Sequence, residues 1–167
     1  MRHRDELRHL RRGAEPGERP RRGGTVLPAV VTARDPATTI ERARAVLLAV
    51  LTAPRGWSAN RPPQLPAWFV DACAPEVGDS LDEVEAAVGP RQGARSAEEA
   101  RADSDVPWSL GQWLHWFEGE RYWFWWDARV SEEHELVAEY VVYDWPAPTG
   151  SLIWLWRACG ALDVDVF

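Results

Sequence analysis

The spacing of apolar residues changes several times along the chain, and each change marks an element. From residue 36 to about 53, Ile40, Ala43, Leu47, Leu48 and Leu51 recur at helical spacing, with Glu41, Arg42 and Arg44 elsewhere around the wheel. Asp35 as N-cap and Pro36 at the first helical position open this amphipathic helix, and Pro54 and Gly56 close it. The β-branched run Thr25 to Ala33 precedes it, and Pro28 within the run predicts an edge strand or an extended lead-in. After a proline-rich loop from Trp57, Pro66 opens a short helix through Cys73 that ends before Pro75. Ser109 and Gln112 form a capping box, and Trp108 and Trp113 are spaced for a hydrophobic staple. The helix they start runs to about Glu118, with Leu110, Trp113, Leu114 and Phe117 inward, His115 outward and Gly119 as a left-handed cap.

Beyond Gly119 the period falls to two. Arg121 to Val130 and Leu136 to Trp145 read as a hairpin with a five-residue turn, Ser131 to Glu135. One face holds Tyr122, Phe124, Trp126, Ala128 and Val130 with Leu136, Ala138, Tyr140 and Val142, and is expected to be core. The other holds Arg121, Trp123, Trp125, Asp127 and Arg129 with Val137, Glu139, Val141 and Tyr143. Pairing Ala128 with Ala138 sets Asp127 against Glu139, so like-charge repulsion predicts a register shifted by two, with Arg129 opposite Glu139. A helix from about Ser151 to Cys159, closed by Gly160, leads to a last strand in which Leu162, Val164 and Val166 alternate with Asp163 and Asp165.

These elements predict an α+β fold. An antiparallel sheet of at least three strands, the hairpin at about 121–145 plus the C-terminal strand, is packed with several helices. The domain spans 25–167. Residues 1–24 carry eight Arg against four acids with little large apolar content, which predicts a disordered basic tail whose deletion leaves stability unchanged. Residues 76–105 carry nine acids and three Arg; Val77, Leu81, Val84 and Val88 suit an exposed helix around 80–88, followed by a flexible acidic linker or solvated helix.

Composition narrows the chemistry. All 19 basic residues are Arg, so a P-loop lysine or a Schiff base has no side chain to form it. The net charge of −7 argues against nucleic-acid binding, except through the N-terminal tail, and no run of about 20 apolar residues suits a membrane span. Cys73 and Cys159 belong to no CxxC or Cys/His cluster and read as small buried hydrophobes, and the basic start lacks an apolar signal core, so a cytoplasmic protein is expected. No motif calls for a metal or a cofactor. Asp163-Val164-Asp165 reads as the solvated face of a strand.

Tryptophan is the oddity: 11 residues, nine of them between Trp108 and Trp156. Arg121, Trp123, Trp125, Arg129 and Tyr143 share the mixed hairpin face, and Arg, Trp and Tyr are the types that dominate interaction hot spots. That face is either buried under the N-terminal helices or an open binding surface. The leading expectation is an acidic interaction domain, such as an immunity or antitoxin-like inhibitor of a basic protein partner. A binding domain with a Trp-lined pocket for a planar or sugar ligand is the alternative. A hydrolase using Glu118, Glu120, Asp127 and Glu139 is a weaker third.

Overall fold

The computed structural model describes residues 1–20, 23–54, 57, 61–75, 107–118, 121–144 and 146–167. In chain order its elements are α1 (His3–Arg12), β1 (Thr25–Ala33), α2 (Pro36–Thr52), α3 (Ala67–Ala72), α4 (Leu110–Glu118), β2 (Trp123–Glu132), β3 (Glu135–Val142), α5 (Gly150–Ala158) and β4 (Ala161–Val166). The strands form a four-stranded antiparallel sheet in the order β2-β3-β1-β4. The α+β architecture expected from the alternating periods is therefore present. The helix expected at 80–88, the acidic linker, Gly119, Glu120 and Trp145 lie outside the described residues.

Local chemistry sets the helix starts. Asp35 accepts from Thr38 N at 3.0 Å and from Thr38 Oγ1 at 2.6 Å, which holds its carboxyl below the usual range. Ser109 and Gln112 exchange the two capping-box bonds, at 3.2 and 3.3 Å. The ring of Trp108 meets α4 at Trp116, centroids 6.2 Å apart, a turn beyond the expected staple at Trp113.

Pro28 lies in a central strand, not at an edge. Its carbonyl accepts from Phe167 N at 3.2 Å, so the N–H it lacks would also point toward β4. The β1–β4 ladder begins one residue later, at Ala29 and Val166, and the missing donor falls at the ladder's end.

Residues 3–12 are a docked helix and not a disordered tail. Glu6, His9 and Leu10 of α1 are buried, so the expected dispensability of residues 1–24 does not fit this packing. Acids in the first turn and basic residues in the last favour the helix dipole, and Gly13 closes it at φ 76°. A Cβ on Gly13 would come within 3.0 Å of Asp127 Oδ1, so glycine also permits the close approach of α1 to β2.

The hairpin departs from expectation in turn, register and facing. The strands run on to Glu132 and Glu135, leaving only Glu133 and His134 in the turn. Asp127 does stand opposite Glu139, and Ala128 opposite Ala138. The repulsion is relieved from both sides, because Arg44 of α2 approaches Asp127 at 3.8 Å and Arg129 approaches Glu139 at 3.4 Å. Trp125 pairs with Tyr140 and Asp127 with Glu139, so Trp126 is the extra residue of a β-bulge. The bulge flips the parity of β2. Before it, Trp123 and Trp125 face the helices with Tyr140 and Val142; after it, Ala128 does, with Ala138 and Leu136.

Candidate interaction face

The parity flip decides where the candidate residues go. Trp123 is 3% exposed and Trp125 fully buried, so both belong to the core between sheet and helices. The indole of Trp123 donates to Ser151 Oγ at 2.9 Å and that of Trp113 to Ser151 O at 3.0 Å. Trp156 donates to the hydroxyl of Tyr140, whose burial holds its pKa well above the usual value. Burial likewise pushes up the thiol of Cys159. Trp108, Trp113, Trp123, Trp125, Trp154 and Trp156 build this core instead of lining a surface.

Arg121 is half-buried beside them. Its guanidinium makes two 2.7 Å bonds to the Glu6 carboxylate and lies over Phe117 and Phe124 at 4.9 and 4.8 Å. Of the five candidates, only Arg129 and Tyr143 reach the opposite, outward face, Arg129 on β2 and Tyr143 just past the end of β3. The structure therefore separates the expected cluster into a core group and two surface residues.

That outward face follows from strand alternation. Ala29, Val31, Leu136, Ala138 and Val164 point to the helices and are buried, which sends Pro28, Val30, Thr32, Val137, Glu139, Asp163 and Asp165 outward. The register sets Val30 between Val137 and Asp165, and Thr32 between Glu135 and Asp163. A small apolar patch of Pro28, Val30 and Val137 is thus bordered by Glu135, Glu139, Asp163 and Asp165, with Glu132 and Glu133 at the hairpin tip. Among the described residues, Arg129 and Arg157 are the basic groups beside it, held by Glu139 at 3.4 Å and by Asp163 at 3.1 Å. The sequence showed the halves of this surface separately, as a strand with D-x-D and a mixed hairpin face. Only the insertion of β1 between β3 and β4 joins them.

Other chemistry is sparse. Of the carboxylates considered for hydrolysis, Asp127 and Glu139 stand opposite each other, each beside its own arginine, Glu118 lies 3.9 Å from His115 on α4, and Glu120 lies outside the described residues. Among the described residues no group of His, Cys, Asp and Glu is assembled that could hold a metal ion, and no described helix is long and apolar enough to cross a membrane. An open groove of about 610 Å³ along α2 has a single tryptophan wall, Trp68, whose ring already carries the Arg42 guanidinium at 5.1 Å. No protein family matches the chain, and no curated protein or solved structure is significantly similar to it.

Proposed function

We propose that this chain is a small acidic protein-interaction domain whose outward sheet face binds a basic protein, in the manner of an immunity or antitoxin-like inhibitor. The observation that carries the reading is the make-up of that face. Among the described residues, five acids, Glu132, Glu135, Glu139, Asp163 and Asp165, surround the patch of Pro28, Val30 and Val137 against two arginines. A patch of this kind offers a modest desolvated centre and a rim that attracts positive charge from a distance. The net charge of −7 extends the attraction over the whole molecule. Cys73 and Cys159 are not joined in a disulfide, which suits a reducing compartment, and we place the protein in the cytoplasm. A ligand site in the α2 groove is the weaker reading, because Arg42 occupies the aromatic face that a planar ligand would need.

The test is association kinetics with the partner captured from the host, at about 0.1 M and about 1 M salt, across which the Debye length falls from about 10 to about 3 Å. Association is expected to slow by at least about tenfold while dissociation changes little, and E132K/E135K should slow association in the same way. An acidic partner, or an association rate indifferent to salt, overturns the reading.

A further inference from the structure

The two edges of the sheet are treated differently. On β2, the outer edge, four outward backbone groups between Trp123 and Ala128 end on side chains. Trp125 N donates to Glu6 Oε1 at 2.9 Å, and Trp123 O accepts from Arg121 at 3.2 Å. Ala128 O accepts from Arg44 at 3.3 Å, and Ala128 N donates to Asp127 Oδ1 at 2.8 Å. Helix α1 lies along the same strand, with His9 edge-on to Trp126 at 4.3 Å. From Trp123 to Ala128 this edge is closed to another strand.

On β4 the phase of the ladder is fixed by Phe167 N donating to Pro28 O. Asp163 and Asp165 therefore bond inward to β1, and the backbone groups of Leu162, Val164 and Val166 point away from the sheet. The Leu162 carbonyl is taken by Arg157. Among the described residues no strand pairs with the remaining edge, and Leu162 and Phe167, which flank it, are 51% and 62% exposed.

We propose that the β4 edge at Val164 and Val166 receives an extended segment of the basic partner as an added strand. The added strand would be read by alternation: basic side chains beside Asp163 and Asp165 on the outward face, apolar ones beside Val164 and Val166. The charge pattern selects this occupant over a second copy of the chain. Two β4 strands paired about Val164 would set Asp163 against Asp165 of the partner copy, and the like charges oppose pairing. The inference rests on the acidic-face reading above and adds the mode of binding to it.

The experiment uses the full chain and a short synthetic peptide alternating Arg and Val, with amide hydrogen exchange as the readout. The peptide is expected to slow exchange at Val164 and Val166 by at least about tenfold, and to leave Asp163 and Asp165, already bonded to β1, nearly unchanged. N-methylation of the peptide on its bonding edge should abolish the protection. So should Val166→Pro, which removes an outward N–H and keeps the β1 ladder, as Pro28 does. Should V166P fail to fold, D163N/D165N replaces it and should weaken peptide binding by about tenfold or more. Equal binding of a Glu/Val peptide overturns the charge selection, and protection that grows with protein concentration without peptide overturns it in favour of a second copy. Peptide or partner binding without protection at Val164 and Val166 overturns strand addition and leaves the acidic-face reading standing. Failure of both the peptide and any basic partner to bind overturns both.

Discussion

Ser151 shows how single residues make a tryptophan core possible. An indole brings a large apolar ring and one N–H, and a buried N–H without an acceptor costs about 1–3 kcal/mol. Ser151, 1% exposed at the start of α5, supplies two acceptors: its carbonyl to Trp113 of α4 and its hydroxyl to Trp123 of β2. Helix α5, helix α4 and the sheet are tied at one point. Ser151→Ala should therefore strand only the Trp123 N–H, because the main-chain bond to Trp113 survives. The expected cost is about 1–3 kcal/mol in a denaturant titration. Adding Trp123→Phe should recover part of it, and a double-mutant cycle with no coupling would show that the bond contributes nothing. The need of each tryptophan for a partner was legible in the sequence. Which partner was not, since Trp123 and Ser151 are 28 residues apart and meet only through the fold.

At the scale of elements, legibility followed local periodicity. The helices over 36–52 and 110–118 were visible with their N-caps, because the residues that start them lie within four positions of one another. The β2 strand was visible as a strand, yet its facing was inverted before residue 126. A bulge changes the parity by one residue and leaves no apolar signature when the run leading into it, Tyr122 to Trp126, is aromatic throughout. Helix α1 was missed for another reason: it docks through polar groups. Only Leu10 is a large apolar residue among its buried positions, whereas Glu6 reaches Arg121 and the Trp125 N–H. The Glu6–Arg121 pair is almost dry, with 1% and 11% of the two side chains exposed, and removing one partner leaves the other charge uncompensated. Glu6→Gln should then destabilise the fold by about 3–5 kcal/mol, and deleting residues 1–24 should lower the melting temperature clearly. A deletion variant that melts with the full chain would show that α1 contributes no stability to the sheet.

Over the whole molecule, the N-terminal segment is one continuous clamp. Helix α1 closes the β2 edge, and residues 13–20 fold back along it, so that Glu18 meets Arg8 and the buried His9, the latter at 3.1 Å. Desolvation acts to raise the Glu18 pKa, but the bonds from Arg8, from Glu15 N and from His9 outweigh it and hold the group at about 2, against an ordinary 4.5. A carboxylate depressed on folding contributes stability that is fully present above its unfolded pKa and is lost as pH falls through the folded one. The clamp should accordingly loosen between about pH 4.5 and pH 2. The raised pKa of Arg8, which owes most to its bond with Glu18, has the opposite sense, and its contribution is lost only at strongly alkaline pH. Denaturant midpoints measured at pH 6, 4, 3 and 2 should fall most steeply in the acid window, and Glu18→Gln should flatten that fall while leaving an offset at pH 6. The fluorescence of Trp126, against which His9 packs edge-on, gives a local reading of the same event. If the acid slope is identical in Glu18→Gln and the unaltered chain, Glu18 is not the group that fastens the N-terminal segment, and α1 must be held on β2 by Glu6, His9 and Leu10 without it.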